Sequence, residues 1–312
     1  MKIRINDVAL RDGFQIEKNI IATETKIALI NSLSKTGLTR LEVASFVHPK
    51  FVPNMADAVE VLRNIDRVEG VIYTALVPNA KGMERVVATH EGGTTIEEIN
   101  VFMSASETHN LANVNRTTEQ SLGDFEVIAG MAELSNIRIN GTISTAFGCP
   151  FEGRVEQARV LDFIGQYLAL GFDSITFGDT TGMANPVQVS AMCKAAIRAY
   201  PNTDYTLHFH NTRGMGLANV VAGLGAGVTS FDGSLAGLGG CPFAPGATGN
   251  ICTEDMVNML HDMGVETGVD LDKLLACAVK IPVIVAHDVP GQVMRAGKTM
   301  HLHPVPEKLY VQ

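Results

Sequence analysis

The chain alternates two patterns of apolar and polar positions. Short apolar or every-other-residue apolar runs recur near 3–10, 40–45, 70–77, 97–103, 137–146, 173–178, 205–210 and 229–235, and each reads as a strand. Between and after them, 23–36, 54–64, 79–90, 117–134, 153–170, 186–199, 214–226 and 252–263 carry apolar residues three and four apart, the spacing of one helix face. Helix starts are marked by Thr23, by Asn54 before MADAVEVL and by Pro186, and helix stops by Gly37, Gly171 and Gly264. Eight strand–helix units in succession predict a parallel sheet with crossover helices, closed as a TIM (β/α)8 barrel. An open doubly wound sheet fits less well, because no GxGxxG follows the first strand. No Pro/Gly/Ser linker interrupts the pattern. Residues 1–263 are therefore expected to form one catalytic barrel, with 264–312 as a helical extension packed on it as part of the same domain, containing a helix near 271–286.

Composition narrows the partners. The 312 residues, 46% apolar and 18% charged, can bury a large core. A net charge of -9 without any basic run argues against nucleic acid or an anionic membrane, both of which demand clustered Lys and Arg. The N-terminal MKIRINDVALRDG leads into no long apolar segment, and no 18-residue uncharged apolar stretch occurs elsewhere, so neither a signal peptide nor a membrane span is expected and a cytoplasmic location is. Cys149, Cys193, Cys241, Cys252 and Cys277 lack CxxC spacing, which fits reduced thiols.

Barrel chemistry gathers at the C-terminal strand ends. In LHFHNT, His208 and His210 stand two apart on a strand and face the same side. The first strand runs into LRDGFQ, delivering Arg11 and Asp12. Glu42 lies inside the apolar LEVASF, where an ionised carboxylate needs a partner, either for chemistry or as a structural salt bridge. The sixth strand delivers Asp179 and Thr180 in FGDTTGMANP, where Asp179 also suits a helix cap. The eighth runs into GLGGCPFAPGATGN, whose small residues let backbone approach a ligand and present Cys241 and Asn250. Asp12, His208, His210 and Asn250 offer two imidazoles and two oxygens, a mixed set suited to Mg²⁺ or Mn²⁺, with Zn²⁺ or Co²⁺ as substitutes.

The segments RDGFQ, EVASFVHPKFVPNMAD, FGCPFEGRV, GDTTGMANP, HFHNTRGMGLAN and GLGGCPFAPGATGN resemble the hydroxymethylglutaryl-CoA lyase family, within the metal-dependent carbon–carbon lyase and synthase superfamily on TIM barrels, in order from residue 3 to about 263. The resemblance implies that Asp12, His208, His210 and Asn250 hold the divalent metal and that Arg11 stabilises an enolate oxygen. It implies that Cys241 protonates the enolate carbon and that His208, with Asp179 and Glu42 nearby, handles the hydroxyl proton. Gln15 matches a position beside the family substrate, and Thr180 and the retained Asn113 are expected to bind substrate with it. The implied reaction is retro-Claisen cleavage of a 3-hydroxy-3-methylglutaryl-CoA-like thioester to acetyl-CoA and a keto acid, by a homo-oligomer, a dimer in the family. Alternatives are a citramalyl-CoA-type lyase, a condensing synthase of the superfamily, and a non-catalytic barrel serving as a binding or assembly module.

The chain also departs from the family. Leu111 and Ala112 replace adjacent lysines, Asp288 in VAHDVPGQV replaces part of a basic run that helps hold CoA, and Asn211-Thr212-Arg213 stands for Asp-Thr-Tyr. Fewer cations weaken contacts to CoA phosphates unless Arg295 or Lys298 supplies them. Arg213 suits either a substrate carboxylate or a surface ion pair.

Overall fold

The computed structural model describes residues 3–240, 249–300, 302 and 304–306. Eight parallel strands close into a barrel in sequence order: β1 (Arg4–Asp7), β2 (Arg40–Ser45), β3 (Ile72–Leu76), β4 (Glu98–Ser104), β5 (Arg138–Ser144), β6 (Ser174–Asp179), β7 (Asp204–Phe209) and β8 (Ser230–Gly233), with β8 paired back to β1. The crossovers are α1 (Thr23–Leu33), α2 (Ala58–Asn64), α3 (Ala80–Glu91), α4 (Glu107–Val114), α5 (Thr118–Leu134), α6 (Gln157–Ala169), α7 (Pro186–Ala199), α8 (Gly216–Gly225) and α9 (Thr253–Asp262). The TIM barrel read from the alternation is the observed fold.

The apolar core lies between strands and helices. Ile99, Val101, Ile139, Ile143, Ile175, Phe177, Leu207 and Phe231 on the strands are buried in one cluster with Val160, Ile164, Tyr167, Val189 and Val220 on the helices. Each such side chain contributes roughly 1.5–3 kcal/mol on burial. Inside the barrel the side chains are polar, where branched apolar residues are the usual filling. Asn6 donates to Asp232 (2.9 Å), Thr206 to Ser230 (3.0 Å) and Asn140 to Asn100 (2.9 Å), while Arg40 pairs with Glu98 (3.0 Å) and Arg4 with Asp204. This interior carries hydrogen-bond order from strand to strand, up to the mouth of the barrel.

Several boundaries differ from the sequence reading for identifiable reasons. The first strand ends at Asp7, and residues Ala9–Gly13 form one π-helical turn in which the Val8 carbonyl takes the N–H of Arg11, Asp12 and Gly13. Asn54 does not start α2. It sits in a 3-10 turn, where its Oδ1 accepts from Ile21 N (2.9 Å) and its Nδ2 donates to the carbonyls of Glu17 (2.9 Å) and Asn19 (3.2 Å), pinning the loop after β1. The α4 helix was not foreseen; Ser106 caps its start by accepting from His109 N (3.1 Å), and Asn115 ends it in the left-handed region at φ 52. The helix expected over 271–286 is two, α10 (Leu271–Ala278) and α11 (Ile281–Val285), followed by α12 (Val293–Ala296). The α10 helix packs against α9 and α1.

Candidate active site

The residues singled out at the strand ends converge at the mouth. The π turn after β1 places Arg11 and Asp12 side by side, with Arg11 Nη1 2.5 Å from Asp12 Oδ1. Alternation along β7 brings His208 and His210 to one face, their Nε2 atoms 3.2 Å apart. Beyond β8 the chain returns so that Asn211 N donates to Gly249 O (2.9 Å) and Ile251 N to Phe209 O (3.1 Å), which lays Asn250 against His210. Asn250 Nδ2 donates to Asp12 Oδ2 (2.7 Å) and to Leu238 O (2.9 Å). Gly239 runs beside this pair at φ +99, and a Cβ there would stand 2.6 Å from Asn250 Nδ2 and 3.0 Å from Asp12 Oδ2, so only glycine lets the backbone pass. One ligand atom each from Asp12, His208 and His210 lies within 4.8 Å of the other two.

Electrostatics prepares Asp12 and His210 as ligands. Burial works against ionising Asp12, but Arg11, the imidazoles and Asn250 outweigh it and hold its pKa below the ordinary carboxylate value. Burial, reinforced by His208, drives His210 down to about 3, so its ring is neutral at pH 7. For His208, burial is outweighed by the hydrogen bond and charge of Asp232, which raise its pKa; its Nδ1 lies 3.2 Å from Asp232 Oδ2. A carboxylate behind the second ring nitrogen is the usual way to orient a ligating histidine. Asp232 escaped the sequence reading, since nothing in SFDGS marks it before β7 and β8 are paired.

Three buried polar atoms at the site have no hydrogen-bond partner among the described residues: Asn250 Oδ1, His210 Nδ1 and Asp179 Oδ2. Leaving such atoms unpaired is costly, and at a mouth lined by a carboxylate and two imidazoles it marks places for a cation and a substrate. The donor set fits a divalent metal.

Around it, Gln15 Nε2 donates to Asp12 Oδ1 (3.0 Å), and Glu42 Oε2 takes Arg11 Nε and Nη2, each at 2.5 Å. Burial raises the Glu42 pKa against the pull of Arg11. Asp179 is not the cap of α7, which is Asn185; its Oδ1 accepts from Met183 N (2.8 Å) and Ala184 N (3.0 Å), and burial lifts its pKa to about 6. Thr180 Oγ1 accepts from Thr145 N (3.1 Å). Arg213 is exposed, and its Nη1 donates to the carbonyls of Thr181 and Gly182, both at 3.0 Å, strapping the loop after β7 to the loop after β6; among the described residues it makes no ion pair. Asn113 lies on α4, above β4. Cys241 lies outside the described residues.

Behind this site stands a second group of acids. Cys252, Glu254 and Asp255 are mutually close, but Asp255 is occupied by the backbone N–H groups of Gln292 and Val293, and burial pushes the Cys252 thiol up. Glu254 Oε2 accepts from Ala236 N (3.0 Å), holding a non-glycine residue at φ 58, and burial raises its pKa to about 8. The fold therefore favours protonated Glu254. Its folded pKa lies above the ordinary 4.5, so stability is complete below that value and declines as pH climbs toward 8. Glu254→Gln keeps an oxygen for Ala236 N, and its melting temperature is expected to fall less between pH 5 and 8 than that of the wild type. Identical pH profiles by calorimetry would show that Glu254 ionises freely in the fold.

Comparison with known proteins places the chain in one family. A family profile described as HMGL-like matches residues 2–281. The hydroxymethylglutaryl-CoA lyase of Bacillus subtilis (strain 168) is 45% identical over 298 residues, 96% of this chain and 98% of the relative. The mitochondrial hydroxymethylglutaryl-CoA lyase of Homo sapiens is 42% identical over 274 residues, 88% of this chain and 83% of the relative. Among solved structures, an HMG-CoA lyase from Acinetobacter baumannii in complex with coenzyme A and 3-methylmalate matches with a TM-score of 0.92 at 46% identity, over 98% of each chain. The family profile spans every strand of the barrel, and the chain belongs to the HMGL-like family of carbon–carbon lyases.

Proposed function

We propose that this enzyme cleaves 3-hydroxy-3-methylglutaryl-CoA to acetyl-CoA and acetoacetate, with a divalent cation, Mg²⁺ or Mn²⁺, held by Asp12, His208, His210 and Asn250. The observation that carries the proposal is the convergence of those four side chains beside the buried Arg11 cation. When bound, the metal supplies a Lewis acid that lowers the pKa of the substrate hydroxyl and orients it. The chain does the rest. Asp179, with one oxygen unpartnered among the described residues and a pKa of about 6, stands ready to take the hydroxyl proton, while Asp232 at Nδ1 orients His208 toward the metal position. Collapse of the alkoxide to a ketone breaks the carbon–carbon bond, and the electron pair moves onto the thioester as an enolate. Arg11 meets that negative charge with a cation that cannot deprotonate. Cys241 is assigned, on the family resemblance, to return a proton to the enolate carbon. Gln15, Thr180, Asn113 and Arg213 are assigned to the substrate.

A second reading draws on the solved relative that holds 3-methylmalate, a shorter diacid, and on Leu111 and Ala112 in place of lysines. It makes the substrate a smaller 3-hydroxy diacid thioester. The test strips metal with a chelator, restores Mg²⁺ or Mn²⁺, and measures acetyl-CoA and acetoacetate from 3-hydroxy-3-methylglutaryl-CoA beside citramalyl-CoA and 3-methylmalyl-CoA. A higher kcat/KM for the first supports the main proposal, and a higher value for another moves the substrate. With metal bound, no turnover of any thioester would sink the lyase assignment. A cytoplasmic location, as in the name of a Rattus norvegicus relative, and a homodimer, on the family resemblance, complete the proposal.

A further inference from the structure

Arg11 is steered from inside the barrel. Its Nε and Nη2 close on Glu42 Oε2, and the other oxygen, Glu42 Oε1, accepts from Asn100 Nδ2 on β4 at 3.1 Å. The Asn100 amide has a fixed sense, because its Oδ1 accepts from Thr142 Oγ1 (2.8 Å) and from Asn140 Nδ2 (2.9 Å) on β5. Turning it over would set its NH₂ against a donor amide and leave two oxygen acceptors facing each other at Glu42. Asn140 is held in turn, its Oδ1 accepting from Ser174 Oγ (2.8 Å) and Thr176 Oγ1 (3.2 Å) on β6. Asn140 Nδ2 also donates to Thr176 Oγ1 (3.0 Å), so the linked amides and hydroxyls cross three strands and end on Glu42, whose two oxygens are both committed as acceptors.

We propose that Asn100 is a positioning residue for the lyase reaction: by donating to Glu42 Oε1 it fixes the carboxylate that aims the Arg11 guanidinium at the developing enolate oxygen. The proposal rests on the cleavage reaction proposed above. It adds a residue that touches neither metal nor substrate, reaching the reaction only through Glu42 and Arg11. Chains of hydrogen bonds in a low-dielectric interior reinforce one another, so the terminal donor matters beyond its own bond.

The test uses the metal-loaded full chain. Asn100→Asp keeps the volume and an oxygen for Thr142 and Asn140 but loses the donated N–H. Its kcat is expected to fall roughly 10- to 100-fold with KM changed less than about threefold, since a misaimed Arg11 loses transition-state contact and not ground-state binding. In a double-mutant cycle with Glu42→Gln, Asn100→Asp is expected to add no further loss, because its route to Arg11 is already cut. If Asn100→Asp does not purify folded, Asn100→Ser is measured instead with the same expectations. Independent, multiplying losses in the cycle, or an unchanged kcat in a folded variant, would overturn the role of Asn100. A wild-type enzyme that turns over no acyl-CoA would remove the underlying reaction instead, so the two failures are distinguishable.

Discussion

Replacing His210 with alanine is expected to abolish divalent-metal retention and, with it, turnover. His210 is buried, neutral at pH 7 because burial drives its pKa to about 3, and faces His208 Nε2 to Nε2 at 3.2 Å. Two imidazole nitrogens held at that distance are well placed to bind one cation together. Loss of an outer partner of a ligand typically costs 10–100-fold in metal affinity, so loss of a ligand itself is expected to cost more than about 100-fold. The effect reads out without any substrate. A metal at about 100 times its Kd stabilises a fold by about 2.7 kcal/mol, so Mn²⁺ is expected to raise the melting temperature of the wild type and leave that of His210→Ala unmoved. Asn250→Ala should behave in the same direction, because it removes an Oδ1 that has no partner among the described residues and releases Asp12 Oδ2. Full metal occupancy in both variants by elemental analysis would strike them from the ligand set.

The sequence makes the two histidines readable because strand alternation alone puts residues two apart on one face, and the closed barrel then needs no further assumption. Asp12 and Asn250 were reachable as polar residues after strands, yet their exact placement was not. Asp12 sits in a π turn that propensity does not distinguish from strand, and Asn250 meets His210 through pairing between a returning segment and the end of β7. What stayed hidden is the polar interior. Asn100, Asn140 and Asp232 are polar residues interleaved with apolar ones on their strands, and their meaning depends on which strand lies next door and in what register, a property of closure. Asn54 shows the converse: its type suits a helix cap, and the fold spends its side-chain amide on the loop that follows Gln15.

Arg11→Lys is expected to cost roughly 100- to 1,000-fold in kcat, the range for loss of a donor aimed at a developing oxyanion, while metal occupancy stays near that of the wild type. The charge survives but the geometry does not. One guanidinium spans Asp12 Oδ1 and Glu42 Oε2 at 2.5 Å each, and an ammonium is a point charge that cannot hold both and still present a fixed face to substrate. Arg11→Ala goes further. It strands Glu42, which is 3% exposed, beside Asp12, and breaking a buried pair from one side costs about 3–5 kcal/mol. That loss of stability separates from catalysis in the double variant Arg11→Met with Glu42→Gln, where the stranded charge is gone. Its melting temperature is expected to recover most of the loss while kcat stays at the Arg11→Ala level. Recovery of both together would mean that Arg11 serves the fold alone, and retention of wild-type kcat in Arg11→Lys would mean that charge without orientation suffices.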